Sequence, residues 1–308
     1  MIALTETEPA VRLRGATVRN EGFALGPLDI DIPKGLVTAI VGPNGSGKST
    51  LFRLLMNMEP FRGEGWLLGE PLAEGSDEEL KKQIGFLAEL PHAYEDPLTP
   101  EEKAKFAANW YPGWDWGRYG KLLRSFDAEP VRGKLRKLSK GMRRKVELAC
   151  AMAHNPKLLL LDEPSSGLDP FAWKSMLTEL HRYMEQGDRT LVIATHITEE
   201  VRRLADYILF MYRGKVLGSF EKDQLFDEWR QLLVQLPEAA RGDSDWLRRL
   251  PGLRGQEASG GGIFRIESDR SEEAQAYCRE RGCTILSVQR MELEDILGCL
   301  IREEEQKR

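Results

Sequence analysis

At 308 residues the chain has room for one large domain and a small one, and 41% apolar with 30% charged residues is ordinary for a globular protein that buries a substantial core. Its 44 basic and 49 acidic residues are interspersed and leave a net charge of -5, so the chain carries no general nucleic-acid footprint and no such partner is expected. The four cysteines, Cys150, Cys278, Cys283 and Cys299, form no CxxC pair and read as buried reduced thiols rather than metal ligands or disulfides.

The opening Met1–Glu8 is acidic and has no apolar core of signal-peptide length, so secretion is not expected. No stretch approaches the roughly 18 consecutive apolar residues of a membrane span. If the chain works at a membrane, another chain must cross it. Val11 to Val18 and Leu28 to Ile32 alternate apolar and polar residues, the period of strands with one buried face. After Gly35, Leu36 to Val41 is almost continuously apolar, which suits a central strand covered on both faces. Ser49 to Met58 then has helical spacing, with Leu51, Leu54, Leu55 and Met58 on one side. Residues 90–140 read as a polar helical subdomain, broken by the aromatic stretch Trp110 to Trp116. Leu158 to Leu161 and Thr190 to Ala194 read as buried strands flanking a helix over Pro170 to Gln186, which implies a parallel βαβ core.

Between the first buried strand and its helix lies Gly42-Pro43-Asn44-Gly45-Ser46-Gly47-Lys48-Ser49-Thr50, which satisfies GxxxxGK[ST] in the required strand-turn-helix setting. Glycines let successive N–H groups curl inward onto phosphate oxygens, and the helix N-terminus adds its positive dipole end. Lys48 is placed to reach the β- and γ-phosphates and Ser49 to ligate Mg²⁺. The strand Leu158 to Leu161 ends in Asp162 and Glu163, a Walker B arrangement. Asp162 is expected to hold the Mg²⁺ shell. Glu163 is expected to polarise the attacking water as general base, a role worth on the order of 10² to 10⁴ in rate.

With Leu138-Ser139-Lys140-Gly141-Met142 opening a further helix, residues 10–220 resemble the ABC ATPases. The resemblance implies an ATP-binding cassette with a RecA-like parallel core, an antiparallel β subdomain and a helical subdomain. It places Glu89 in the Q-loop as a metal ligand, Ser165 to Asp169 in the D-loop, and His196 as the switch histidine that senses the γ-phosphate. Ser139, Gly141 and Met142 would close over ATP held by a second ATP-binding subunit, in a homodimer or a heterodimer. Two departures stand out: the signature reads Ser-Lys-Gly-Met where the family commonly has Ser-Gly-Gly-Gln, and Glu89 replaces Gln. Arg19, Asn20 and Phe23 lie near the usual adenine-stacking position, and Phe23 is either that residue or part of the core. His92, His154 and His181 carry no assigned role.

The segment Ile84 to Glu89, the stretch Tyr111 to Asp115 and the Lys-Gly-Met signature are similar to those of bacterial multidrug and antibiotic-type exporter ATPases. That resemblance implies ATP hydrolysis driving export through a separate membrane-spanning permease, with the chain held peripherally at the cytoplasmic face of the membrane. The competing class is a soluble ABC ATPase acting on ribosomes, DNA repair or iron–sulfur assembly. Trp110, Tyr111, Trp114 and Trp116 either line the groove where a permease helix docks or fill the helical subdomain's core. Residues 1–223 are expected to form the cassette. Residues 224–308 read as a small α+β accessory domain, for which a ferredoxin-like arrangement is one reading, with strands at Leu232 to Leu236, Gly262 to Glu267 and Thr284 to Gln289 and a charged helical end over Ile301 to Arg308.

Overall fold

A computed structural model describes residues 8–20, 22–72, 78–237 and 245–307. The opening stretch before Glu8 and the final Arg308, on both of which an expectation was placed, lie outside them. The chain divides into two compact units, Met1–Gly218 and Ser219–Arg308.

The first unit begins with β1 (Val11–Asn20) and β2 (Phe23–Ile32), paired antiparallel, with β4 (Arg62–Leu67) on the other side of β1 and β5 (Glu70–Pro71) at the edge. Val11, Leu13, Ala16 and Val18 of β1 are buried on one face. The step from Leu13 to Ala16 is a register shift, where Gly15 takes φ +58°. Beside this sheet lies a second one of six strands. Its order is β10 (Lys215–Glu221), β9 (Tyr207–Tyr212), β3 (Val37–Val41), β8 (Thr190–Ala194), β7 (Leu158–Asp162) and β6 (Ile84–Leu87). Strands β9, β3, β8, β7 and β6 run parallel to one another.

Every residue of β3, β7 and β8 is buried, which is why these strands read as continuous apolar runs rather than as alternation. One apolar cluster joins the inner face of the antiparallel sheet, helix α1 (Lys48–Leu55) and the central parallel strands. Helix α1 is shorter than expected: it stops at Leu55, and Met58 stands half exposed beyond it instead of on its apolar side.

After the short α2 (Glu78–Lys81) and β6, the helical subdomain contains α3 (Pro100–Trp110) and α4 (Trp116–Ser125) and leads into α5 (Lys140–Ala153). The starts of these helices are written in the sequence. Thr99 and Glu102 form a reciprocal capping box with Pro100 at the first turn, and Asp115 caps α4 through the Arg118 N–H at 3.0 Å. Ser139 caps α5 and Asp169 caps α6 (Pro170–Met184), again with proline at the first turn of α6. Helix α7 (Thr198–Leu204) follows β8.

The second unit contains α8 (Lys222–Glu228) and a four-stranded sheet of β11 (Arg230–Gln235), β12 (Leu253–Gly260), β13 (Ile263–Ser268) and β14 (Thr284–Arg290). The order is β12-β13-β11-β14, with every neighbour antiparallel and α9 (Ser271–Glu280) crossing from β13 to β14. Among the described residues, the helical part of its first crossover is the short 3-10 turn Asp245–Arg249. Leu232, Val234, Ile266, Ala274 and Cys278 form the core of this unit, and α10 (Leu293–Gln306) packs on β12. All four cysteines are buried and unpaired.

Candidate nucleotide site

The GxxxxGK[ST] segment turns sharply between β3 and α1 because its glycines do what other residues cannot. A Cβ on Gly42 would stand 2.2 Å from the Met211 carbonyl oxygen, and Gly47 sits at φ +107° as the residue before the helix. The turn leaves Lys48 buried, its Nζ donating to the Gly42 carbonyl at 2.8 Å and lying 3.4 Å from that of Pro43. Phosphate oxygens entering this loop compete for the same ammonium group.

A cavity of about 400 Å³ opens over the turn. Asn44 to Thr50 line it, together with Asp162, Glu163, Glu89 and Phe23. The parallel sheet accounts for this meeting. β3, β7 and β8 end at the same level, so the loops after them converge on the carboxyl end of the sheet, where α/β folds bind ligands. Phe23 both lines the cavity and packs against the core, so the two readings of that residue describe one position; Arg19 and Asn20 do not line it.

Asp162 is 2% exposed and its Oδ1 has no hydrogen-bond partner. Burial pushes its carboxyl above the usual range, against a hydrogen bond from Ser49, and the charge of Glu89 adds to the rise. Ser49 Oγ lies 3.4 Å from Glu89 Oε2. An orphaned buried carboxylate oxygen, a hydroxyl and a second carboxylate form an all-oxygen donor set of the kind that suits a hard divalent cation shared with phosphates.

Glu163 follows the last residue of β7 with φ +48°, a conformation uncommon outside glycine. Its N–H donates to the Ala194 carbonyl at 2.9 Å, and its Oε2 lies 2.7 Å from His196 Nδ1. An ionised carboxylate only accepts, so with Glu163 charged the His196 Nδ1–H is the donor. Burial pushes the Glu163 carboxyl up, while His196 and Lys48 oppose the rise. His196 itself is largely exposed, which leaves its ring free to face a ligand.

Ser139, Gly141 and Met142 are not part of this cavity. Ser139 Oγ accepts from the Met142 N–H at 3.1 Å and starts α5 elsewhere on the unit. Gly141 packs on the D-loop, where a Cβ would stand 2.4 Å from the Gly167 carbonyl oxygen. The aromatics at the helical break separate. Trp110 and Tyr111 line a groove of about 440 Å³, together with the exposed Leu90, Tyr94 and Phe106. Trp114 instead packs within the helical subdomain, its ring 5.5 Å from Trp116 and 5.6 Å from Tyr119.

One participant went unread in the sequence. Arg144 looks like part of a solvated basic run, Arg143-Arg144-Lys145, yet it is 3% exposed and bonded to the carbonyls of Asp162 and Glu163. The signal available was the helix itself. From Leu148 to Ala153 it is apolar on all sides, which marks a buried helix whose charges must find partners.

The ABC transporter family model matches residues 25–166, and a second model, an AAA domain, matches 134–202. An ABC transporter ATP-binding protein of Nostoc sp. is 30% identical over 255 residues, spanning 80% of this chain and 74% of its own length. The lantibiotic transport ATP-binding protein SrtF of Streptococcus pyogenes is 33% identical over 66% of this chain and 89% of its own. The bacitracin transport ATP-binding protein BcrA of Bacillus licheniformis is 31% identical over 67% of each. Among solved structures, the ATP-binding subunit of an ABC transporter superposes with a TM-score of 0.63 at 28% identity, covering 71% of this chain and 92% of its own. A dimeric cassette in a post-hydrolysis state with ADP and Pi superposes at 0.60 and 25% identity, covering 68% and 98%. The chain belongs to the ABC transporter ATP-binding proteins and is the ATP-hydrolysing subunit of such a transporter.

Proposed function

We propose that the chain powers export across the cytoplasmic membrane through a separate membrane-spanning permease, bound peripherally at the cytoplasmic face. The observation that carries this reading is the convergence of Lys48, Ser49, Glu89, Asp162 and Glu163 on one cavity while the Ser139 helix start lies outside it. Such a site needs a second ATP-binding subunit to supply its other wall. Export is favoured by the relatives whose names state lantibiotic and bacitracin transport. No helix among the described residues is long and apolar enough to cross a membrane.

In this reading the backbone N–H groups of residues 42–50 and Lys48 cradle the phosphates. Ser49, Asp162 and Glu89 are the residues that would hold Mg²⁺, which supplies charge neutralisation on the phosphates. Glu163 takes a proton from the attacking water, and its burial tunes it toward that task. His196 orients Glu163 through Nδ1 and faces the γ-phosphate. The α5 N-terminus, with its dipole and Ser139, closes on ATP held by the facing subunit, and all the required groups being present, two identical chains suffice. The permease's cytoplasmic segment docks in the groove lined by the exposed apolar Leu90, Tyr94, Phe106 and Trp110 together with the Lys103–Glu95 ion pair at 2.5 Å.

The test is Glu163→Gln. The variant is expected to bind ATP, accumulate as a closed dimer by analytical ultracentrifugation and lose turnover by roughly 10² to 10⁴. A monomer that hydrolyses ATP at the parent rate removes Glu163 from the general-base role.

A further inference from the structure

A buried arginine needs a reason, since taking its charge out of water is costly unless it is paired and hydrogen-bonded. Arg144 lies on α5 with its guanidinium turned inward. Nη2 donates to the carbonyl of Asp162 at 2.7 Å and to that of Glu163 at 2.6 Å, while Nη1 donates to the carbonyl of Ala88 at 2.5 Å. Among the described residues, the carboxylate that forms an ion pair with it is Glu147, at 3.8 Å on the same helix. Three of the partners are main-chain oxygens, so the side chain fixes backbone positions more than it satisfies a charge.

Those positions are the ends of two parallel strands. β7 stops at Asp162 and β6 at Leu87, and the chain then leads directly into Glu163 and into Ala88-Glu89. Glu163 is in the left-handed region, which is strained for a non-glycine residue and needs holding from outside. Its N–H is held by Ala194 of β8, and its carbonyl by Arg144. Ala88 lines the aromatic groove, and the next residue, Glu89, lines the nucleotide cavity.

We infer that Arg144 is a positioning residue for ATP hydrolysis, setting the direction of the Glu163 carboxylate and tying it to the strand end at Ala88 between groove and nucleotide. This rests on the reading of Glu163 as the general base. The planar fork of a guanidinium spans both strand ends at once, whereas a lysine ammonium on its single stem reaches one. None of the Arg144 hydrogen bonds goes to residues 42–50, so the phosphate cradle stands without it.

The test uses the full chain as Arg144→Lys and Arg144→Met, with equilibrium ATP binding, steady-state hydrolysis and thermal melts on each. Arg144→Met is expected to bind ATP within about twofold of the parent while kcat falls on the order of 10²-fold, the loss that a misplacement of about 1 Å produces. Arg144→Lys should recover part of kcat at unchanged ATP affinity. If the methionine variant melts below the assay temperature, the lysine variant carries the comparison, with lowered kcat and retained affinity expected. Parent-like kcat in a folded variant overturns the inference, as does equal loss of affinity and kcat. Glu163→Gln in the parent background separates the two readings. If that variant is inactive while Arg144→Met turns over normally, only the Arg144 inference fails; if it hydrolyses ATP normally, the Glu163 reading fails.

Discussion

Asp162 and Glu163 are neighbours in sequence, but the chain turns between them, so one ends a buried strand and the other hangs from a left-handed residue over the same cavity. Burial raises both carboxyls, and that has a measurable sign. The folded chain holds these protons more tightly than the unfolded chain, so their contribution to stability is greatest at acid pH and is lost as pH rises through the raised values. Glu163→Gln should therefore melt above the parent without nucleotide at pH 8. The gap should shrink at pH 5; an equal gap at both pH values contradicts the account. His154 has the opposite sign. It is buried under Tyr111, whose ring stacks at 3.8 Å, and its Nε2 faces the Ile84 carbonyl at 3.2 Å. Burial lowers its pKa from 6.5 to about 4. Its contribution is complete above pH 6.5 and is lost as pH falls toward 4, by at most about 3 kcal/mol. Urea unfolding at pH 7.5 and pH 5 should show a smaller acid loss in His154→Gln than in the parent, and equal losses would remove His154 as a cause.

The groove makes its own prediction at the level of elements. Phe106→Asp on α3 should abolish retention of the permease yet leave ATP binding by the isolated chain unchanged, because the groove and the cradle share no lining residue. Loss of both together would contradict separate sites. What the sequence disclosed about these elements followed burial. Strands covered on both faces, such as β3, β7 and β8, announced themselves as apolar runs, and the phosphate turn came with residue types that suit it, whereas the capping by Ser139 and Asp169 emerged only with the structure. Strand β12 did not. It is an edge strand, Leu-Arg-Gly-Gln-Glu-Ala-Ser-Gly, mostly exposed and held in place by its pairing with β13 and the packing of α10, so no periodicity betrays it. The division of the aromatic stretch, with Trp110 at the groove and Trp114 in the subdomain, depends on where α3 stops and α4 starts, a turn that composition alone does not orient. Arg144 was hidden because a basic run reads as solvent until the helix is known to be buried.

For the molecule as a whole, the residues matched by the ABC transporter family model and those lining the nucleotide cavity lie in the unit Met1–Gly218, and Ser219–Arg308 adds a second fold with its own core. The central claim is that this ATPase drives a separate membrane-spanning partner. The most direct measurement is detergent co-purification of tagged Glu163→Gln with ATP and Mg²⁺ from the cells that make it, with the Phe106→Asp double variant alongside, followed by identification of what is retained. The account predicts one integral membrane protein in near-stoichiometric yield with Glu163→Gln and its loss from the double variant. Recovery of ribosomes, nucleic acid or soluble partners alone would leave the ATPase chemistry standing and contradict the assignment to export through a permease.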